Sequence, residues 1–176
     1  MNMEKKFELT DNFIINAFGV KLFQIKCTKS FKYAKEGDLG GYVEKDENLD
    51  QESDAWVYGD ARVYGDARVS GDARVSGDAR VSGNARVSGN ARVSGNAEID
   101  NNNKHCGFDC FGSANRHTHA YLTKENKVEI TCGCFRGSIE EFEKRVEETH
   151  SGTIYEKQYK AIIDVIKIKF GLTDLI

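Results

Sequence analysis

The chain has 176 residues, a formal charge of −3 and 39% hydrophobic residues, the makings of one compact protein with small appendages. The near-neutral balance offers no electrostatic case for a dedicated nucleic-acid binder, and no apolar run approaches the roughly twenty residues a membrane helix needs. Five cysteines, an odd number, and no apolar leader at the N-terminus point to reduced thiols and a cytosolic location.

Residues 1–42 read as a small β cap. Phe7-Glu8-Leu9 and Phe13-Ile14-Ile15 flank a turn-like Thr10-Asp11-Asn12, and a further strand runs from Val20 to Cys27 after Gly19. A cap is physically expected, because the first coil of a repeat structure otherwise exposes an unpaired strand edge. Residues 43–103 form the repeat region. Val43 and Leu49 stand six apart, the register slips by two residues before Val57, and a bulge or loop is expected near Asp54.

From Val57 the six-residue unit repeats almost without variation: Val57-Tyr58-Gly59-Asp60-Ala61-Arg62, the same again from Val63, then Val-Ser-Gly units at 69, 75, 81, 87 and 93, ending at Ile99. A period of six fits neither an amphipathic helix nor a long strand. Ala and Val two residues apart face one way and the Arg between them faces the other, while Gly with Asp or Asn turns the chain. Three units make a triangular coil, and stacked coils pair in parallel at roughly 4.8 Å. Gly-Asp is also hairpin chemistry, but an antiparallel meander leaves an uncovered Ala/Val strip, so the closed coil is the better solution. Residues eighteen apart then stack: Arg62 with Arg80, Arg68 with Arg86, Arg74 with Arg92.

The Val-x-Gly-Asn/Asp-Ala-x unit resembles the hexapeptide-repeat, left-handed β-helix proteins, and that resemblance implies a left-handed coil and a homotrimer. Together with Leu22-Phe23-Gln24-Ile25 and Gly37-Asp38-Leu39-Gly40-Gly41 it also resembles bacteriophage and prophage hexapeptide proteins. Family members that are acyltransferases or zinc carbonic anhydrases need a His on or beside the coils. Residues 57–100 contain neither His nor Cys, so no position here receives the catalytic His.

After Asn101-Asn102-Asn103, residues 104–176 read as a βββαα domain. Its strands lie near Cys106–Phe111, Arg116–Thr123 and Lys127–Phe135, and Ser138 with Glu141 forms a capping box. Ile139, Phe142 and Val146 line one face of the first helix. Tyr155, Tyr159, Ile162, Ile163, Ile166 and Phe170 line one face of the second, a stripe that reads as core. The fold class is thus mainly β, a short parallel β-helix between a β cap and an α+β domain.

Two residue sets offer chemistry. Arg62, Arg68, Arg74, Arg80, Arg86 and Arg92, with Tyr58 and Tyr64, form rows suited to phosphate or carboxylate. The bland alternative is a solvated face with charges balanced by Asp60, Asp66, Asp72 and Asp78. The second set is Cys106, Cys110, His117, His119, Cys132 and Cys134, which contains zinc's preferred ligand types but no Cys-x-x-Cys knuckle, so free thiols and surface imidazoles are the expectation and no cofactor is assigned. His150 is expected to sit at a helix C-terminus. The leading functional expectation is a non-enzymatic binding or scaffold protein of phage origin, acting on a host defence component or holding an anionic nucleotide. An acyltransferase working between subunits, with His117 or His119 as base, is one alternative; a structural virion component is another.

Overall fold

The first three strands run antiparallel until the chain enters the repeat, where pairing turns parallel. They are β1 (Phe7–Ile15), β2 (Lys21–Cys27) and β3 (Leu39–Val43) in a computed structural model that describes residues 5–172. β1 is one continuous strand: Thr10-Asp11-Asn12, expected to turn, forms a bulge instead, so that Leu9 pairs with Ile25 and Phe13 with Phe23. The Thr10 hydroxyl donates to Gln24 O at 2.9 Å and holds the extra residues in the ladder.

Eight two-residue strands follow: β4 (Trp56–Val57), β5 (Arg62–Val63), β6 (Arg68–Val69), β7 (Arg74–Val75), β8 (Arg80–Val81), β9 (Arg86–Val87), β10 (Arg92–Val93) and β11 (Glu98–Ile99). They stack in parallel as three walls, β3-β5-β8-β11, β4-β7-β10 and β6-β9, the last extended by a bridge from Leu49 to Val69. The antiparallel meander is therefore excluded. Val63 lies on Val81, Val69 on Val87 and Val75 on Val93, and these valines and the repeat alanines are sealed from solvent. Each wall is knitted by backbone bonds such as Arg62 N to Ala79 O (2.9 Å) and Tyr64 N to Val81 O (3.0 Å). Glycine is required at the corners: Gly71 has φ +68°, and a Cβ there would stand 2.8 Å from Gly89 N.

The expected slip before Val57 is a loop, residues 50–55, that carries the chain from the Leu49 wall to the β4 wall. Lys6, only 6% exposed, anchors it by donating to Asp50 O, Ser53 O and Ala55 O at 2.6, 2.6 and 2.9 Å. Burial pulls the Lys6 amine down to about 8. The sequence leads one to expect a boundary at residue 42. Here the β1–β2 pair continues through β3 into the coil wall, and Met1–Asn102 forms one compact unit.

The second unit, Asn103–Ile176, has strands β12 (His105–Phe111), β13 (Arg116–Leu122), β14 (Val128–Cys132) and β15 (Phe135–Gly137) in consecutive antiparallel order. The expected third strand is two, because Gly133 at φ +61° turns the chain between β14 and β15. Helices α1 (Ile139–His150) and α2 (Ile154–Lys169) cover one face of this sheet. Their buried residues are Ile139, Phe142 and Val146 on α1 and Tyr159, Ile162, Ile163 and Ile166 on α2, against Ala120, Ile130 and Cys132. Ser138 accepts from Glu141 N while the Glu141 carboxylate accepts from Ser138 N, the expected capping box.

Candidate functional site

The outward side of each wall is set by the strand period of two: if Val points in, the Arg before it points out. Register then makes columns. One wall carries Tyr42, Arg62, Arg80 and Glu98 in succession, the next Trp56, Arg74 and Arg92, the third Arg68 and Arg86. The three expected Arg pairs are neighbours at the strand spacing of about 4.8 Å.

A family model described as the YdcK Beta solenoid repeat matches residues 55–71, 67–83, 73–89 and 85–97. The repeat region is a β-solenoid. No curated protein matches the chain.

The expected balance of solenoid charges is not what forms. Asp66 and Asp72 are taken by lysines that precede the regular repeat, Lys45 at 3.2 Å and Lys32 at 2.6 Å. Asp60 and Asp78 have no ion pair among the described residues, and neither do Arg62, Arg68, Arg80 and Arg86. The physical reason is position: each Asp sits at a corner and each Arg mid-wall, and Lys32 and Lys45 lie beside the Asp72 and Asp66 corners. Like charges held in register repel, so the Arg62/Arg80 and Arg68/Arg86 rows are electrostatically unspent.

Arg74 is used structurally. Its guanidinium lies over the Tyr33 ring at 4.8 Å, and the Tyr58 hydroxyl donates to Tyr33 O at 3.3 Å. Burial raises the Tyr58 phenol above its ordinary value. Tyr58 therefore belongs to a packed cluster and not to an Arg row. Tyr64 follows Val63 at a corner of the solenoid, half-buried.

The Arg68–Arg86 wall opens into a groove of about 640 Å³. Its floor is Arg68, Ser70, Arg86 and Ser88, and its rim is the segment from Asp46 to Glu52. Asp46 is bound by Lys5, and Asp50 is held below the ordinary carboxylate range, where hydrogen bonds from Ser53 and Glu52 and the nearby Lys6 charge outweigh its desolvation. Sequence reasoning missed this rim. The signal was there, since Asp46, Glu47, Asp50 and Glu52 fall within seven residues, but only the Leu49–Val69 bridge lays that run beside the Arg pair.

In the second unit the six Cys/His candidates are dispersed. Cys106 and Cys132 face the helices; Cys132 Sγ accepts from Thr118 Oγ1 at 3.3 Å and lies 3.8 Å from the Tyr159 hydroxyl. His117 and His119 lie on the opposite face. His117 Nδ1 is 2.6 Å from Asp109 Oδ1, and His119 Nε2 is 3.1 Å from His105 Nδ1. Cys110 and Cys134 are exposed, Cys134 in the turn after β14 and not on it. Among the described residues no three His, Cys, Asp or Glu side chains are placed to hold a metal ion. The alternation of β13 and β14 separates imidazoles from thiols. His150 ends α1 and stacks on Tyr159 with ring centroids 5.5 Å apart. No described helix is long and apolar enough to cross a membrane.

Proposed function

We propose that this chain is a non-enzymatic binding protein whose solenoid holds arginine rows ready for an anionic group on a partner. The observation that supports it is the charge pairing: four in-register arginines, 62/80 and 68/86, have no ion pair while nearby Asp66 and Asp72 are neutralised by lysines. The acidic rim of the groove favours a partner that carries both signs, as a protein surface does, over a free polyphosphate. A homotrimeric assembly, a phage or prophage origin and action in the host cytosol on a defence component belong to the same proposal, supported by the resemblance of the repeat and of residues 22–43.

The test is capture from bacterial lysate by wild type and by the Arg68→Ser/Arg86→Ser and Arg62→Ser/Arg80→Ser variants. A band retained by wild type, weakened by salt and lost from one variant supports the reading. Equal capture by all three proteins removes it. Calorimetry with acetyl-coenzyme A separates the acyltransferase reading, for which the Asp109–His117 pair is a base-like arrangement, although that imidazole is only 10% exposed. Capture of nothing but copies of itself points to the structural role.

A further inference from the structure

The chain itself occupies one arginine wall, and the repeat makes a second copy of the occupied site. Residues 31–33, between β2 and β3, pack on the β4-β7-β10 wall. Phe31 meets Trp56 edge-on, with ring centroids 5.5 Å apart. The Lys32 amine donates to Asp72 Oδ2 at 2.6 Å, at the corner before β7, and the Tyr33 ring lies under the Arg74 guanidinium at 4.8 Å. The Tyr58 hydroxyl, from the corner after β4, donates to Tyr33 O at 3.3 Å. A lysine and the aromatic residue after it are thus held by three groups of the wall: a corner carboxylate, a guanidinium face and a phenol.

Six residues on, the same three side chains recur: Tyr58, Asp72 and Arg74 become Tyr64, Asp78 and Arg80, on the β3-β5-β8-β11 wall. The backbone recurs with them. Tyr58 N and Tyr64 N donate to Val75 O and Val81 O at 2.8 and 3.0 Å, and Arg74 N and Arg80 N donate to Ala91 O and Ala97 O at 2.9 and 2.8 Å. A further six residues on, the set has changed to Ser70, Asn84 and Arg86. The second copy is not used by the chain: among the described residues Asp78 and Arg80 form no ion pair and the Tyr64 hydroxyl no hydrogen bond. It differs in one place. Trp56, which receives Phe31, lies one coil before Arg74, and the residue one coil before Arg80 is Arg62.

We infer that the Tyr64/Asp78/Arg80 wall docks an extended segment of a partner protein in which an acidic residue, a lysine and an aromatic residue follow one another. The lysine goes to Asp78 as Lys32 goes to Asp72. The aromatic ring goes to Arg80 as Tyr33 goes to Arg74, and Tyr64 donates to its carbonyl. The acidic residue replaces Phe31 because Arg62 stands in the place of Trp56. This inference rests on the reading of the chain as a binding protein and names what the 62/80 row recognises: Arg62 takes the anionic group, and Asp78 supplies the opposite sign. A free polyphosphate is the poorer occupant, since Asp78 repels it. The 31–33 segment of a second copy is poorer too, because it brings Phe31 where Arg62 calls for a carboxylate.

Fluorescence anisotropy tests it, with the full chain titrated to about 1 mM against a labelled peptide carrying Glu-Lys-Tyr between glycine and serine flanks. Binding is expected, and Asp78→Asn and Tyr64→Ser are each expected to weaken it about three- to tenfold. Both variants install residues that the next unit already carries, Asn84 and Ser70, so the coil still forms. Wild type is expected to prefer the Glu-Lys-Tyr peptide to a Glu-Glu-Tyr one, and Asp78→Lys to reverse that preference. A wild type that binds neither peptide, that binds both equally, or whose affinity is unmoved by Asp78→Asn and Tyr64→Ser overturns the inference. Lysate capture lost from Arg62→Ser/Arg80→Ser but kept by Asp78→Asn also overturns it while leaving the broader reading in place. That reading fails only when capture survives both arginine double variants.

Discussion

In the solenoid the regular coils have interiors of Val and Ala resting on copies of themselves, with Leu49 and Ile99 at the ends, whereas in the C-terminal unit Phe142, Tyr159, Ile162 and Ile130 each meet different neighbours. Identical layers give no coil a side-chain preference for its own neighbour. Specific chemistry is therefore concentrated where the repeat ends. Lys6 ties down the loop before Trp56, and the buried Asn48 amide donates to Gly65 O and Ala67 O at 3.1 and 2.9 Å. In the second unit the same task is spread through ring contacts, caps and ion pairs such as Phe142–Tyr159 and Arg136–Glu129. A periodic interior makes a wall regular enough to hold charges in register. An aperiodic one makes a unique fold from fewer residues.

The largest test of this contrast is Val81→Asp, a charge between Val63 and Ile99 in the sealed interior. A loss on the order of 4–5 kcal/mol is expected, with hydrogen exchange accelerated in β5, β8 and β11 together. Wild-type exchange there would show that the interior is not dry.

Next comes Lys6→Met, which strands three carbonyls. Denaturation followed by Trp56, the chain's single tryptophan, should show a loss of about 2–3 kcal/mol, well above that of an exposed lysine changed the same way.

Alkali separates the units more gently. Burial pushes Cys106 up to about 11 from 9.0 and Tyr159 up to about 12 from 10.0. Both groups hold protons that the unfolded chain has already released. Their stabilisation is complete below pH 9 and is lost as pH rises from 9 to 12. In the solenoid unit Cys27 and Tyr58 shift the same way, but Lys6, lowered to about 8 from 10.5, adds stability between those two values. Urea midpoints read by helix circular dichroism should therefore fall faster above pH 9 than those read by Trp56 fluorescence; parallel curves would remove the distinction.

The smallest effect is Ser138→Ala, about 1 kcal/mol from the α1 capping box, seen as a lower urea midpoint for the helical signal alone.

Reading the chain by period was sufficient wherever one face of an element decides burial. The inward Val and Ala columns, the Arg neighbours eighteen apart and the core stripes of both helices all follow from spacing, because a side chain's direction is a local property of strand or helix. The errors fall where a local signal has two outcomes. Thr10-Asp11-Asn12 has turn composition, yet β2 is there to receive it as a bulge. Lys127–Phe135 looks like one strand, yet Gly133 turns it into two.

The sequence by itself determined the three-walled coil and which residues face out of it, since a strict period of six admits few closed solutions and neighbouring copies enforce the same one. Tertiary structure alone decided which charges meet. Lys45 and Lys32 reach Asp66 and Asp72, and the acidic 46–52 run comes to lie beside Arg68 and Arg86, because residues some twenty to forty apart are brought within reach only when the chain is wound. An ion pair depends on distance in space, and no spacing along the chain encodes that.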